Sequence, residues 1–175
     1  MTISKSASTG TSPRSSKSTR SPPNQGVLTL LKEDHREVKK LFTAYQRLVD
    51  LEASTAQRRI AVQQICTLLT VHATVEEELF YPALRTGSED AKDLLDEAEV
   101  EHASVKDLVT QLQDMDPTDF LYNAKVKVLG EYVNHHVKEE ESELFPKAKK
   151  TELDLDELGI QVKNRKEELM GSGIQ

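Results

Sequence analysis

Two segments of the chain repeat one arrangement of metal-ligating side chains: His72-Ala-Thr-Val-Glu76-Glu-Glu-Leu-Phe-Tyr-Pro82 and His136-Val-Lys-Glu-Glu140-Glu-Ser-Glu-Leu-Phe-Pro146. In each, a glutamate follows the histidine by four residues and a proline follows it by ten. Residues i and i+4 share one face of a helix, so each segment aims an imidazole and a carboxylate at a single point. Two further histidines stand upstream in matching contexts, Asp34-His35-x-x-Val38-Lys39-x-Leu41 and Glu101-His102-x-x-Val105-Lys106-x-Leu108. Carboxylates buried among imidazoles need a compensating cation. Four nitrogens and two bridging carboxylates suit a pair of divalent ions, iron first, with manganese or zinc as substitutes.

These groups must be positioned by helices. Leu28, Leu31, His35, Val38, Phe42, Tyr45 and Val49 recur at steps of three and four and mark one face of a helix ending near Leu51. A second run, Ile60 through Leu84, puts Ile65, Leu68, His72, Val75, Glu76 and Leu79 on a common face. Gly87 supplies a stop, and Ser88 followed by Glu89 and Asp90 a new N-terminus. The third run turns Leu94, Leu95, Ala98, His102, Val105 and Leu108 inward. Asp116-Pro117 reads as an N-cap with proline at the first helical position. It opens a fourth helix, roughly 118–149, that aligns Leu121, Val128, Tyr132, His136 and Glu140. A short fifth helix near 154–170, carrying Leu155, Leu158, Val162 and Leu169, is expected across the outside. The interval from His35 to His72 is 37 residues and that from His102 to His136 is 34, so the halves read as two copies of a helical hairpin. The fold class expected is all-α: an up-down-up-down four-helix bundle over residues 25–150, with an extra C-terminal helix and tail over 151–175.

A lone histidine on an apolar face is ordinarily a hydrogen-bonded core residue, and a glutamate run ordinarily a solvated surface. Four histidines in the apolar phase of four helices, with two glutamates one turn from two of them, argue otherwise. His135 also has glutamates within reach at Glu139 and Glu140, but the ten-residue interval to proline selects His136, leaving His135 as a supporting or surface residue. Tyr132, one turn before His136, reads as a packed core tyrosine or a hydrogen-bond donor near the metals.

Composition narrows the rest. The chain has 175 residues, 37% apolar and 30% charged, enough for one core and a solvated exterior. No stretch approaches the roughly 18 consecutive apolar residues of a membrane span. Of 23 basic residues, Lys5, Arg14, Lys17 and Arg20 lie in residues 1–24, which hold no acidic residue; the remaining 151 carry 19 against 30 acidic, a net −11. So acidic a body repels phosphates and argues against a nucleic-acid surface. Residues 1–24, with eight serines, four threonines and three prolines, are expected to be a disordered tail. The single cysteine, Cys66, favours a reducing, cytoplasmic compartment and reads as a small core residue.

The pattern His35, His72-x3-Glu76, His102, His136-x3-Glu140, with its "EEELFYP" and "EEESELFP" continuations, resembles the hemerythrin-like, HHE cation-binding family over residues of about 28 to 150. That resemblance implies two iron ions, one on His35 and His72 and one on His102 and His136. Glu76 and Glu140 would bridge them together with an oxo or hydroxo group. Dioxygen, nitric oxide or peroxide would take the remaining positions. The chain departs from the oxygen-carrying members of the family, which place a second histidine four residues beyond the counterpart of His102; here that residue is Lys106. The departure weighs against reversible oxygen transport. Ferritin-like bundles use Glu-x-x-His on two helices; Glu99-x-x-His102 fits once, but Leu69 and Val133 occupy the other positions.

Three functions stay open on sequence: capture or sensing of a small ligand, a redox enzyme that removes peroxide or nitric oxide, and iron homeostasis. No flavin, haem or rubredoxin motif accompanies the helices, so an electron-fed reaction would draw on an external reductant.

Overall fold

The computed structural model describes residues 1–2 and 26–172; the tail expected to be disordered lies, its first two residues apart, outside them. Helix α1 runs Val27–Asp50. After a short turn in which Glu52 takes φ 51°, α2 spans Thr55–Val75. Its start is fixed by a capping box, the Ser54 side chain accepting from Gln57 N while the Gln57 side chain accepts from Ser54 N. The α2 rod does not end at Val75. A π-turn over Glu76–Phe80 carries it into α3, Tyr81–Gly87. A 3₁₀ turn, Glu89–Ala91, leads to α4, Lys92–Asp114. Then α5, Tyr122–Glu139, passes through a second π-turn, Glu140–Leu144, into α6, Phe145–Ala148. Last comes α7, Leu155–Gly171, capped by the Asp154 side chain on Asp156 N and Glu157 N.

The connections are too short to cross the molecule, so successive rods run antiparallel. α1 packs beside α2 and α5, and α4 beside α5 and α2, closing the four-rod bundle, while α7 lies along the α1–α2 edge. The interior is two apolar clusters. One joins Leu31, Phe80, Tyr81, Leu95, Phe145 and, from α7, Leu158 and Val162. The other joins Val38, Ile65, Cys66, Val105, Leu129 and Val133. Between them lies a layer of buried polar residues: Asp34, His35, His72, Glu76, His102, His136 and Glu140. Cys66 is fully buried as expected, and burial pushes its thiol up to about 11.

Three local readings of the sequence are corrected. Ser88 makes no side-chain cap; a 3₁₀ turn precedes α4 instead. Asp116 does not cap the fourth helix: its carboxylate accepts from Thr118 N at 2.8 Å, closing an Asx turn, and the helix starts at Tyr122. On α5 the inward stripe is Val126, Leu129, Val133, His136 and Glu140, while Leu121, Val128 and Tyr132 are exposed. Steps of four from His136 drift about 40° each round a 3.6-residue helix, so Val128 and Tyr132 leave the face that alternating threes and fours keep.

Candidate metal centre

All four histidines are buried at mid-bundle, one from each rod, with their Nε2 atoms turned inward. His35 Nε2 lies 3.2 Å from Glu140 Oε2 and His72 Nε2 3.2 Å from Glu76 Oε2. Across the layer, His102 Nε2 stands 3.5 Å from Glu76 Oε2 and His136 Nε2 3.6 Å from Glu140 Oε2. Each glutamate therefore stands between one histidine of each pair. Ligand atoms of His35, His72, Glu76 and Glu140 lie within 4.8 Å of one another, as do those of Glu76, His102 and His136. The His35 and His72 rings are 4.9 Å apart, the His102 and His136 rings 4.6 Å.

The outer nitrogens are held by a ring of carboxylates that the sequence reading missed. His35 Nδ1 contacts Glu141 at 2.8 Å, His72 Nδ1 Asp34 at 3.2 Å, His102 Nδ1 Glu77 at 2.9 Å and His136 Nδ1 Glu101 at 2.8 Å. A carboxylate accepts but cannot donate, so each Nδ1 carries the proton and each Nε2 presents a lone pair to the centre. The signal was present in the sequence: each partner adjoins a ligand, as Asp34-His35, Glu76-Glu77, Glu101-His102 and Glu140-Glu141. Basic residues secure two of these carboxylates, Lys166 of α7 on Asp34 and Lys106 on Glu77. Lys106, the residue that replaces a histidine of the oxygen carriers, thus braces the partner of His102.

The arrangement is unsatisfied without a cation. Among the described residues, the buried side-chain atoms lacking a hydrogen-bond partner are Arg58 Nε and five atoms of this centre: His35 Nε2, His72 Nε2, both Glu76 oxygens and Glu140 Oε2. His102 Nε2 and His136 Nε2 face each other at 3.1 Å, and, against its burial, the Glu101 and Glu140 carboxylates raise His136 above the usual imidazole value. Burial and the neighbouring Glu140 charge push Glu76 well above the usual carboxyl range. Glu140, despite the same burial, is held low by its histidine contacts. Burial pushes His72 down to about 4, so its imidazole is neutral at neutral pH. Two adjoining buried carboxylates that cannot both ionise alone, beside four imidazoles, make a ligand set that fits multivalent cations.

Of the remaining candidates, Tyr132 is 48% exposed, against the expectation that it faces the core or the metals. His135 is a surface residue, its side chain 60% exposed, near Glu101 and Glu139. The tyrosine that does reach the centre is Tyr81. Its hydroxyl donates to Glu140 Oε1 at 2.9 Å and lies 3.4 Å from His102 Nε2. Burial and the charges of Glu76 and Glu140 raise Tyr81 well above its ordinary value, so it remains a phenol.

A histidine–glutamate layer at the waist of a four-rod bundle defines the class, a cation-binding helical protein. The chain belongs to the hemerythrin HHE cation-binding domain family, whose model matches residues 26–148. Among solved structures it is similar to an HHE cation-binding domain-containing protein from Mycobacterium kansasii. The identity is 27% and the TM-score 0.69, over 85% of this chain and 89% of that one. A DNA nickase from Nostoc sp. (strain PCC 7120) is 32% identical over 126 residues, 70% of this chain but 33% of the relative, so the chain spans about a third of that protein. No helix among the described residues is long and apolar enough to cross a membrane.

Proposed function

We propose that this chain is a non-haem di-iron protein that takes up a small ligand, dioxygen, nitric oxide or peroxide, at a carboxylate-bridged metal pair. The observation that carries this reading is the placement of Glu76 and Glu140, each within 3.6 Å of one histidine from either pair. His35 and His72 would hold one ion, His102 and His136 the other, and the two glutamates would bridge. Bound there, iron supplies one-electron redox chemistry and coordination positions for a diatomic molecule or peroxide.

The protein's own contribution is orientation and exclusion. The Asp34, Glu77, Glu101 and Glu141 carboxylates fix the histidine tautomers. A cavity of about 20 Å³ lies against the four histidines, walled by Val38, Leu69, Ala73, Val105 and Val133. It has room for roughly one molecule the size of water and none for an organic substrate. Its apolar walls restrict water. The Tyr81 hydroxyl favours a second reading, removal of peroxide, because it holds a proton at Glu140 Oε1 that bond cleavage would use. The nicking of DNA named for the Nostoc relative is not carried over, since residues 25–175 bear a net −11 that opposes a phosphate backbone.

The test is anaerobic preparation and metal counting, followed by spectra on separate addition of oxygen, nitric oxide and peroxide. Two irons per chain are expected, and both His72→Ala and Glu140→Ala lower the count. A spectral change that reverses on removing oxygen supports ligand capture; sustained oxygen release from peroxide supports the enzyme. Unchanged iron in both variants would refute the ligand assignment.

A further inference from the structure

The half of the bundle that α7 leaves uncovered carries a third histidine–glutamate pair. His135 and Glu139 are four residues apart on α5, the spacing of His72–Glu76 and His136–Glu140, and face Glu101 of α4. His135 Nε2 lies 3.4 Å from Glu101 Oε1 and 3.3 Å from Glu139 Oε1, and neither contact is aligned as a hydrogen bond. One imidazole nitrogen has one proton, so it cannot bond both carboxylates. Two ligands each about 2.1 Å from a tetrahedral ion lie about 3.4 Å apart, which is the spacing seen. The three side chains are 60%, 19% and 30% exposed in the order His135, Glu101, Glu139, so the cluster opens to solvent.

Comparison with the other half points independently to a cation. The counterparts of His135, Glu139 and Glu101 are Val71, Val75 and Asp34, and both valines are buried. There the outer oxygen of Asp34 receives the Lys166 ammonium. Here no lysine or arginine among the described residues pairs with Glu101 or Glu139; the outer oxygen of Glu101 meets an imidazole and a second carboxylate instead. Glu101 also faces inward, its Oε2 on His136 Nδ1 at 2.8 Å. Behind the cluster a small cavity bounded by Glu101, Glu139, His136 and Glu140 leads toward the centre. Glu140, 2% exposed, borders both this cavity and the buried centre, where its Oε2 lies 3.2 Å from His35 Nε2.

We propose that Glu101, His135 and Glu139 form a third, solvent-facing site for a divalent transition-metal ion, from which the His102/His136 pocket is loaded. The loading role rests on the buried centre being a metal pair; the outer site does not. Because His135 and Glu139 are surface side chains, the double variant His135→Ala, Glu139→Gln should fold normally, with every buried ligand intact.

Full-length, iron-loaded protein is dialysed against graded zinc, and both metals are counted. The expected result is one zinc per chain beyond the iron in the wild type, lost in the double variant, with iron unchanged. Equal zinc in the two proteins, or none in the wild type, overturns the site. In metal-stripped protein mixed with ferrous iron, the variant should fill more slowly to the same final content; equal rates overturn the loading role. A wild type that holds no buried iron but still binds the zinc would instead sink the di-iron reading and leave the outer site standing.

Discussion

The two halves of the bundle present the same ligands in different surroundings. Around His35 and His72, α7 covers the helices, Lys166 clamps Asp34, and the Phe145 ring stacks on His35 with centroids 5.8 Å apart. Around His102 and His136, the stacked ring is Tyr81 at 5.4 Å, and Glu101 faces exposed His135 rather than a lysine. Tyr81 and Phe145 are counterparts, each nine residues beyond its histidine. The Tyr81 hydroxyl thus gives the second pocket a proton donor where the first has the Phe145 ring, and Glu101 there meets His135 where Asp34 meets Lys166. Duplication supplies the coordination; divergence outside it makes two chemically unequal positions.

The harshest way to break the comparison is to remove what the halves share. Stripping the metal with a chelator, or replacing Glu76 with glutamine, acts on both pockets. A ligand present at a thousand times its Kd stabilises by about 4 kcal/mol. Stripping should then lower Tm by roughly 8–16 °C in a chain of this size. Calorimetry with and without chelator measures it, and loss of only one ion in Glu76→Gln would show that the carboxylate serves one pocket alone.

Next in size are the two carboxylates that orient one histidine in each half. Asp34→Asn should weaken the ion on His35 and His72, and Glu101→Gln the ion on His102 and His136. Each effect should be about 10- to 100-fold in affinity. Competition titrations that resolve two equivalents should show a different one weakened in each variant. The same equivalent weakened in both would contradict the pairing of carboxylates with pockets.

Tyr81→Phe makes the second pocket resemble the first. It removes a hydrogen bond to a charged acceptor, for which about 1.5–3 kcal/mol is ordinary. In iron-loaded protein the two Mössbauer signals that the proposed pair would give should converge, and peroxide turnover should fall if the phenol supplies the proton. Signals as far apart as in the wild type would place the asymmetry elsewhere. The smallest effect belongs to α7. Lys166→Met should destabilise by about 1.5 kcal/mol, the low end for a hydrogen bond to a charged group, because the Asp34 carboxylate it leaves is buried. It should still weaken the His35/His72 ion selectively, and equal weakening of both ions would argue for a global change.

Much of this was legible because duplication wrote it twice. The four rods and the six inner side chains follow from period and spacing, and the family from the resemblance that the two His-x3-Glu motifs carry. The partner carboxylates were also there, as the acidic neighbours of each ligand, but adjacency on a helix points the two side chains about 100° apart and hides that they serve different rods. Glu77 reaches His102 and Glu141 reaches His35, contacts that only the assembled bundle creates. Lys166 lies 132 residues from Asp34, and no local pattern signals it. Tyr132 was misplaced because steps of four were extended too far. Tyr81 was overlooked because a regular helix would have turned it away.

That last point follows from the π-turns. Residue i+9 of an unbroken α-helix points about 180° from residue i, so Tyr81 would face away from His72. A π-turn absorbs one surplus residue, leaving about eight regular steps and bringing Tyr81 to within roughly 80° of His72 and 40° of Glu76. The Tyr81 N–H to Glu76 carbonyl bond, and its twin from Phe145 to Glu140, close those widened rings. Each surplus residue thus works as a gear tooth: shaving one from either rod would keep its histidine and glutamate in mesh and swing the aromatic ring out of the chamber.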